Sequence, residues 1–310
     1  MSKKVLVLAD LVNMDNPIIV FAEVKNIVAQ INRGYDFTHL DQAFSDTVDL
    51  FNGNYPGYRR CTTQYHDLRH TTDVLLALAR LIHGATITGT RFNDDDITLA
   101  LVSALFHDVG YIQTTEDTEG TGGKYTLTHV DRSIGFMAAY LAAKGWPEHS
   151  FEVCRKLVLW TDHGDRSANT PFMSPEIDML GKMTGTADLI GQLADRIYLE
   201  KLLFLYQEFR EANLMGGEDE VALLKRTITF YETIKTRMLT DLGNMNRFMR
   251  HHFRLRWHID ADLYMESVER NVAYLDYLMN FHENDYRQKL KRGGIMNKLL
   301  QQERQDKNGS

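Results

Sequence analysis

The residues of this chain that could do chemistry are histidines and aspartates spread over its first two thirds. Within the stretch LALVSALFHDVGYI, an apolar run ends at His107 and Asp108, which stand side by side, and Gly110 follows after Val109. Upstream, the stretch YHDLRHTTDV places His66 and His70 four residues apart. Further candidates stand downstream at His129, His163 and Asp188. Imidazole nitrogens and carboxylate oxygens in this order are ligands that transition metals accept, so the pattern predicts a metal centre.

The spacing of His66 and His70 predicts that both side chains lie on one helix face, because residues four apart are neighbours there. That geometry suits two metal ligands, or one ligand and one proton donor. The other candidates fall at helix ends or within helices, and helices of a bundle commonly bring such ligands together. Mixed imidazole and carboxylate ligation suits Fe, Mn, Zn, Co or Ni, and Mg alone less well. We expect Asp108 to bridge two cations.

The elements that must position these residues are helices. Apolar residues recur with the helical period along most of the chain, and no strand alternation of useful length occurs. One helix is predicted between Thr63, as its N-cap, and Gly84; another begins at Ser174 and Pro175, and helical pattern runs from Leu193 through Phe209. The predicted fold class is therefore all-α, a compact multi-helix bundle.

Composition narrows the class of protein. The 310 residues are 44% hydrophobic and 25% charged, which is the balance of a globular protein. A formal net charge of −7 argues against nucleic-acid binding driven by bulk charge. Cys61 and Cys154 are far apart, which argues against a disulfide scaffold and a cysteine zinc site. No apolar run is long enough to span a membrane, and the N-terminal run is too short for a signal sequence, so we expect a cytoplasmic protein.

Together these residues resemble the HD-domain superfamily of metal-dependent phosphohydrolases. The matching set, H…HD…D, consists of His70, His107, Asp108 and Asp188. YHDLRHTTDV is similar to the YHxxxHxxxV signature of cyclic-nucleotide phosphodiesterases, and HDVGYI to the HDIGxI stretch of the HD-GYP branch. The chain departs from both at Tyr111, which replaces the lysine of one branch and the later histidine of the other. The resemblance covers residues 65–203.

This resemblance implies an HD-type helical bundle and a set of roles. It implies that two divalent cations are bound, the first by the four residues of the H…HD…D set and the second by His129 and His163. Asp108 and His66 are then catalytic, His66 as the general acid for the leaving alkoxide. The implied substrate is a small phosphorylated compound, either a phosphodiester or a phosphomonoester, and a nucleotide or cyclic nucleotide in particular.

Basic residues near the ligands in sequence are candidates for contacts with the substrate phosphate: Lys124, Arg132 and Arg166. Asp195, seven residues after Asp188, is instead expected to form a salt bridge with Arg196 or Arg69.

The domain organisation that we expect has three parts. Residues 1–62 form N-terminal helices that pack on the core, residues 63–215 form the phosphohydrolase core, and residues 216–310 add helices to the same domain. A homodimer is compatible with the apolar residues of the late helices. Two other functions stay open: a di-iron oxygenase with the same ligand set, and a non-catalytic sensor or partner-binding protein with a structural metal.

Overall fold

The computed structural model describes residues 6–162 and 173–308, with side chains to residue 301. Within these ranges all regular secondary structure is helical, which confirms the predicted all-α class. The α-helices of the described residues are, in chain order, α1 Pro17–Ile31, α2 Thr38–Asn52, α3 Leu68–Ile87, α4 Asp94–Phe106, α5 His129–Ala143, α6 Glu148–Leu159, α7 Pro175–Leu193, α8 Tyr198–Glu211, α9 Glu220–Leu239, α10 Arg247–Trp257, α11 Leu263–Phe281, α12 Tyr286–Lys289 and α13 Ile295–Asn308.

Helix α3 is the centre of the bundle. Each of its residues from His70 to Ala85 is buried, and α1, α4, α7 and α10 all pack against it. A helix that is buried all round belongs in the middle of an α-helical core. Gly191 lets α7 approach closely, because a β-carbon at that position would lie 3.3 Å from the backbone nitrogen of Val74.

The predicted limits of α3 are wrong at both ends. The helix begins at Leu68 instead of near Thr63, because the Asp67 side chain accepts a hydrogen bond of 2.9 Å from the His70 backbone nitrogen and caps it. The helix also continues through Gly84 to Ile87. There the missing side chain admits the backbone of α10, whose Phe248 carbonyl oxygen would lie 2.0 Å from an added β-carbon.

The helical pattern predicted from Leu193 through Phe209 is interrupted. The α7 helix ends at Leu193 and α8 begins at Tyr198, and between them the Asp195 side chain accepts a hydrogen bond of 3.2 Å from the Ile197 backbone nitrogen. The predicted start of α7 is confirmed, since Pro175 is its first residue and the Ser174 hydroxyl accepts a hydrogen bond from the Ile177 backbone.

The helices of the last third pack on the same core. Helix α10 contacts α3, and α11 contacts α7, α8 and α9. Within the described ranges, no helix combines the length and the hydrophobicity needed to cross a bilayer.

Candidate metal centre

Four of the predicted ligands meet at one point beside α3. His70 lies in the first turn of α3, His107 and Asp108 follow α4, and Asp188 lies on α7. His70 Nε2 is 3.2 Å from Asp108 Oδ2, 3.3 Å from Asp188 Oδ1 and 3.3 Å from His107 Nε2. His107 Nε2 is 3.2 Å from Asp108 Oδ2 and 3.6 Å from Asp188 Oδ1. We refer to these four residues as the HD centre.

The spacing of these atoms is that of ligands around one ion. Donor atoms about 2.1 Å from a metal stand about 3.0–3.4 Å apart in octahedral or tetrahedral geometry, close to the 3.2–3.3 Å among His70, His107 and Asp108. These three form the mutually close ligand cluster, and Asp188 Oδ1 lies beside its two histidines. All four residues are buried. Asp108 Oδ2 lies 3.2 Å from both imidazole Nε2 atoms, but among the described residues no hydrogen bond of good angular geometry reaches it, whereas a buried carboxylate oxygen normally has one. The residues present therefore fit a divalent cation.

Hydrogen bonds on the far side of two imidazoles leave the correct nitrogen facing the centre. His107 Nδ1 donates to the Ala104 carbonyl at 2.8 Å, and His129 Nδ1 donates to the Thr126 carbonyl at 2.7 Å. A carbonyl only accepts, so the Nδ1 proton is fixed and Nε2 is the atom available as a ligand.

A second ligand position adjoins the first. The other carboxylate oxygen of Asp108, Oδ1, lies 3.7 Å from His129 Nε2, while Oδ2 points to His70 and His107. Asp108 thus faces both positions, as a bridging carboxylate must. The other predicted ligand of the second ion, His163, lies outside the described residues.

The electrostatics of the HD centre are those of imidazolium ions paired with carboxylates. Burial lowers the pKa of His70, but the carboxylates of Asp108 and Asp188 outweigh burial and raise it to about 9. The same carboxylates hold the pKa of His107 well above its ordinary value. Burial raises the pKa of each aspartate, yet the two histidines more than offset it and lower both. A cation would replace the protons that now balance the carboxylates.

The turn after Asp108 is fixed by contacts with α5. The Gly110 backbone nitrogen donates to the Ser133 hydroxyl at 2.9 Å. The Gly110 site also touches the start of α5 so closely that a β-carbon there would lie 2.0 Å from the His129 carbonyl oxygen. Only glycine allows this contact, which sets Asp108 and His129 side by side.

The basic residues proposed for substrate contacts make structural contacts. Arg132 donates from Nε to the Gly110 carbonyl at 2.6 Å and from a terminal nitrogen to the Ile112 carbonyl at 3.0 Å, so it also braces the turn after Asp108. Lys124 donates to Asp117 Oδ1 and to the Glu119 carbonyl, both at 2.6 Å. Contact of either residue with a substrate stays a prediction, and Arg166 lies outside the described residues.

His66 reaches the centre in a different way from the one predicted. It precedes α3, so it does not share a helix face with His70, although the two ring centroids are 5.9 Å apart. Its Nδ1 lies 2.6 Å from Glu208 Oε2 on α8. Its ring stacks on Tyr111 at 4.2 Å, and Tyr111 stacks in turn on His129 at 4.5 Å. His66 therefore stands over the second ligand position.

Two supporting side chains were missed from the sequence. Glu208 accepts backbone hydrogen bonds from Gln64 at 3.0 Å and Tyr65 at 2.8 Å as well as holding His66. Gln192 accepts from the Tyr65 hydroxyl at 2.6 Å and donates to Asp188 Oδ1 at 3.4 Å. Gln192 had a local signal, since it lies one helical turn after Asp188. Glu208 had none, because its partner His66 is 142 positions away.

No family model matches the chain, and no curated protein matches it. The family resemblance accordingly rests on the motifs quoted above, and any function must be argued from those motifs and the geometry of the HD centre.

Proposed function

We propose that this chain is a metal-dependent phosphohydrolase that cleaves a phosphodiester or phosphomonoester of a small compound, a nucleotide or cyclic nucleotide in particular. The observation that carries the proposal is the HD centre itself. Ligand atoms of His70, His107 and Asp108 lie 3.2–3.3 Å apart, Asp188 Oδ1 lies 3.3–3.6 Å from the two histidines, and the second oxygen of Asp108 turns to His129. The nucleotide class comes from the resemblance of YHDLRHTTDV to the phosphodiesterase signature.

Divalent cations in such a site supply electrostatic stabilisation of phosphoryl oxygens and a water of lowered pKa. The protein's part is to fix the ligands before substrate arrives. The backbone carbonyls of Ala104 and Thr126 orient His107 and His129, and Gln192 holds Asp188. Ligands that are held rigidly lose little conformational freedom when substrate binds.

His66 is the residue that we assign to proton transfer. Its Nδ1 proton is directed to Glu208 at 2.6 Å, so the imidazolium form carries its second proton on Nε2, and that proton is the one given to the leaving oxygen. Stacking on Tyr111 restricts rotation of the ring. The His66 side chain is 14% exposed and that of His129 is 23% exposed, so this is the side of the HD centre that substrate can approach.

The same features favour an enzyme over a protein with a purely structural metal. A structural site is closed by four ligands and needs no further donors. Here His129 and the His66–Glu208 pair lie beside the four ligands, on the exposed side of the centre. Such an arrangement supports a site with an open position for substrate.

The experiment is an assay of phosphate-ester hydrolysis with the full chain. The metal-free protein is loaded in turn with Mn²⁺, Fe²⁺, Zn²⁺, Co²⁺, Ni²⁺ and Mg²⁺ and tested on bis(4-nitrophenyl) phosphate, 4-nitrophenyl phosphate and cyclic and linear nucleotides. We expect Asp108→Ala to lower kcat/KM by about a thousandfold or more, because it removes a ligand shared by both positions. Asp46→Ala is the matched control, since Asp46 is also buried but contacts Tyr140 and Lys144 instead.

The results that would overturn the proposal are equally clear. Failure of every metal form to hydrolyse any ester, in protein that binds metal and unfolds cooperatively, would exclude the hydrolase. Iron-dependent consumption of O₂ without phosphate release would identify the oxygenase alternative. Equal activity of Asp108→Ala and Asp46→Ala would place the chemistry elsewhere.

A further inference from the structure

Helix α8 directs two charged side chains to the short segment ahead of α3. Lys201 and Glu208 are only 5% and 4% exposed. They are seven residues apart, close to two helical turns, so both side chains lie on the same face of α8. Charged groups buried this deeply are costly without partners, so their partners indicate what they do. Both find these partners in residues 64–67, which we refer to as the entry segment.

Glu208 holds the first three residues of the entry segment. Its Oε1 accepts hydrogen bonds from the Gln64 and Tyr65 backbone nitrogens at 3.0 and 2.8 Å. Its Oε2 lies 2.6 Å from Nδ1 of His66. One carboxylate thus fixes both the backbone of the entry segment and the imidazole that we assign to proton transfer.

Lys201 holds the last residue of the entry segment. Its Nζ donates to Asp67 Oδ1 at 3.0 Å, and the same oxygen accepts the hydrogen bond of 2.9 Å from the His70 backbone nitrogen. Asp67 thereby connects Lys201 to the first turn of α3, where the metal ligand His70 lies. The Lys201 ammonium group also lies 5.6 Å from the centre of the Tyr65 ring, within the range of a cation–π contact.

The surroundings of Lys201 keep it positively charged. Burial lowers its pKa, but the carboxylates of Asp67, Asp195 and Asp73 outweigh burial and raise it, so the side chain is an ammonium ion at neutral pH. Arg69, the other cation nearby, pairs with Asp195 at 2.7 Å. Among the described residues, Lys201 is therefore the cation that balances the charge of Asp67.

The entry segment carries the general acid and leads into the first metal ligand, and one helix holds it at both ends. We propose that Lys201 is a positioning residue for the HD centre, which fixes His70 through Asp67 while Glu208 fixes His66. Helix α8 then sets the place of the general acid relative to the cation. The role of His66 rests on the proposed function, whereas the action of Lys201 on His70 needs only a bound cation.

The test is calorimetric titration of the chelator-treated full chain with Mn²⁺. Lys201→Met should weaken binding about tenfold, because loss of a contact behind a metal ligand costs on the order of 10- to 100-fold in affinity. Asp67→Asn should weaken binding similarly, since asparagine caps a helix as well as aspartate but loses the ion pair with Lys201. The control is Lys144→Met, which removes a lysine that pairs with Asp46 at 2.9 Å outside the HD centre, and it should bind Mn²⁺ as wild type does.

Two further readouts separate positioning from general stabilisation of the fold. The double variant of Lys201→Met and Asp67→Asn should bind Mn²⁺ no more weakly than Lys201→Met alone, because the two residues act through one contact. The visible absorption spectrum of the Co²⁺-loaded chain reports the geometry of the ligands, so it should change in Lys201→Met and not in Lys144→Met. Glu208→Gln should leave both the Mn²⁺ affinity and the Co²⁺ spectrum unchanged, because Glu208 holds His66 and no metal ligand.

The role of Lys201 would be overturned by a wild-type Mn²⁺ affinity and Co²⁺ spectrum in folded Lys201→Met. Losses of affinity that add in the double variant would also overturn it, because Lys201 would then not act through Asp67. Melting curves verify that each variant is folded. If Lys201→Met does not fold, Asp67→Asn decides, and wild-type Mn²⁺ affinity in that variant would overturn the proposal. None of these readouts needs hydrolysis, so a wild type that cleaves no ester would refute the proposed function and leave the test of Lys201 intact.

Discussion

Cation binding at the HD centre should release protons, so that its apparent affinity falls as the pH is lowered. The pKa of His70 is raised to about 9, and a cation must displace the proton on Nε2. Each pH unit below 9 then weakens binding about tenfold for that one proton, or ~1.4 kcal/mol. Between pH 8 and pH 6 the loss is about 100-fold, or ~2.7 kcal/mol, from His70 alone.

His107 makes the dependence steeper. Its pKa is also raised well above the ordinary value, and its Nε2 faces the same point. Release of a second proton would give a slope of up to about two logarithmic units per pH unit. Asp108 and Asp188 contribute nothing in this range, because their lowered pKa values keep them ionised. The predicted slope therefore lies between about one and two.

The assay is calorimetric titration of the chelator-treated full chain with Mn²⁺ at pH 6, 7 and 8. Repeating it in buffers of different ionisation enthalpy gives the number of protons released per cation. The variant Asp46→Ala, altered outside the HD centre, should retain the wild-type slope. An affinity that changes less than threefold over this pH range, with no protons released, would refute the electrostatic account of the centre.

Three further predictions follow from the same contacts. The metal-free chain should be less stable at pH 9 than at pH 6.5. The raised pKa of His70 stabilises the fold by up to ~3 kcal/mol below the unfolded pKa of this histidine, and that contribution is lost as the pH rises through about 9. Urea unfolding at the two pH values measures the difference in stability, and equal stability would contradict the prediction. Glu208→Gln should lower kcat about tenfold or more with unchanged metal content, because the substitution weakens the charged hydrogen bond that orients His66. An unchanged kcat would contradict the role of His66 as the general acid. Gly110→Ala should destabilise the chain by ~2 kcal/mol or more and reduce metal content, because the new methyl group would clash with the His129 carbonyl oxygen. Thermal unfolding measures the loss of stability, and a wild-type melting temperature would disprove the close contact.

Local signals in the sequence were enough to predict the fold class and to find candidate ligands that the structure brings together. Helical periodicity predicted an all-α chain, and Ser174 followed by Pro175 marked the start of α7. His70, His107 and Asp108 were found because their types and order are unusual, and the structure brings their ligand atoms within 3.3 Å of one another. A salt bridge of Asp195 with Arg69 was among the expectations, and the two are 2.7 Å apart.

The remaining errors come from contacts between distant parts of the chain. The start of α3 was misplaced because Asp67, not Thr63, caps the helix, and Glu208 from α8 holds the backbone ahead of it. Arg132, a candidate for substrate contact, donates to two carbonyl groups of the turn after Asp108, a role that its sequence position did not indicate. Such partners depend on tertiary packing, which sequence spacing does not record.

The measurement that tests the central claim most directly is the metal content of the full chain. Elemental analysis of the purified wild type, Asp108→Ala and Asp46→Ala gives moles of each metal per mole of protein. The account predicts about two divalent ions per wild-type chain, the same in Asp46→Ala, and a loss of both in Asp108→Ala, because Asp108 faces both positions. At most one ion per chain, retained equally in Asp108→Ala, would contradict a bridged centre and the hydrolytic function built on it.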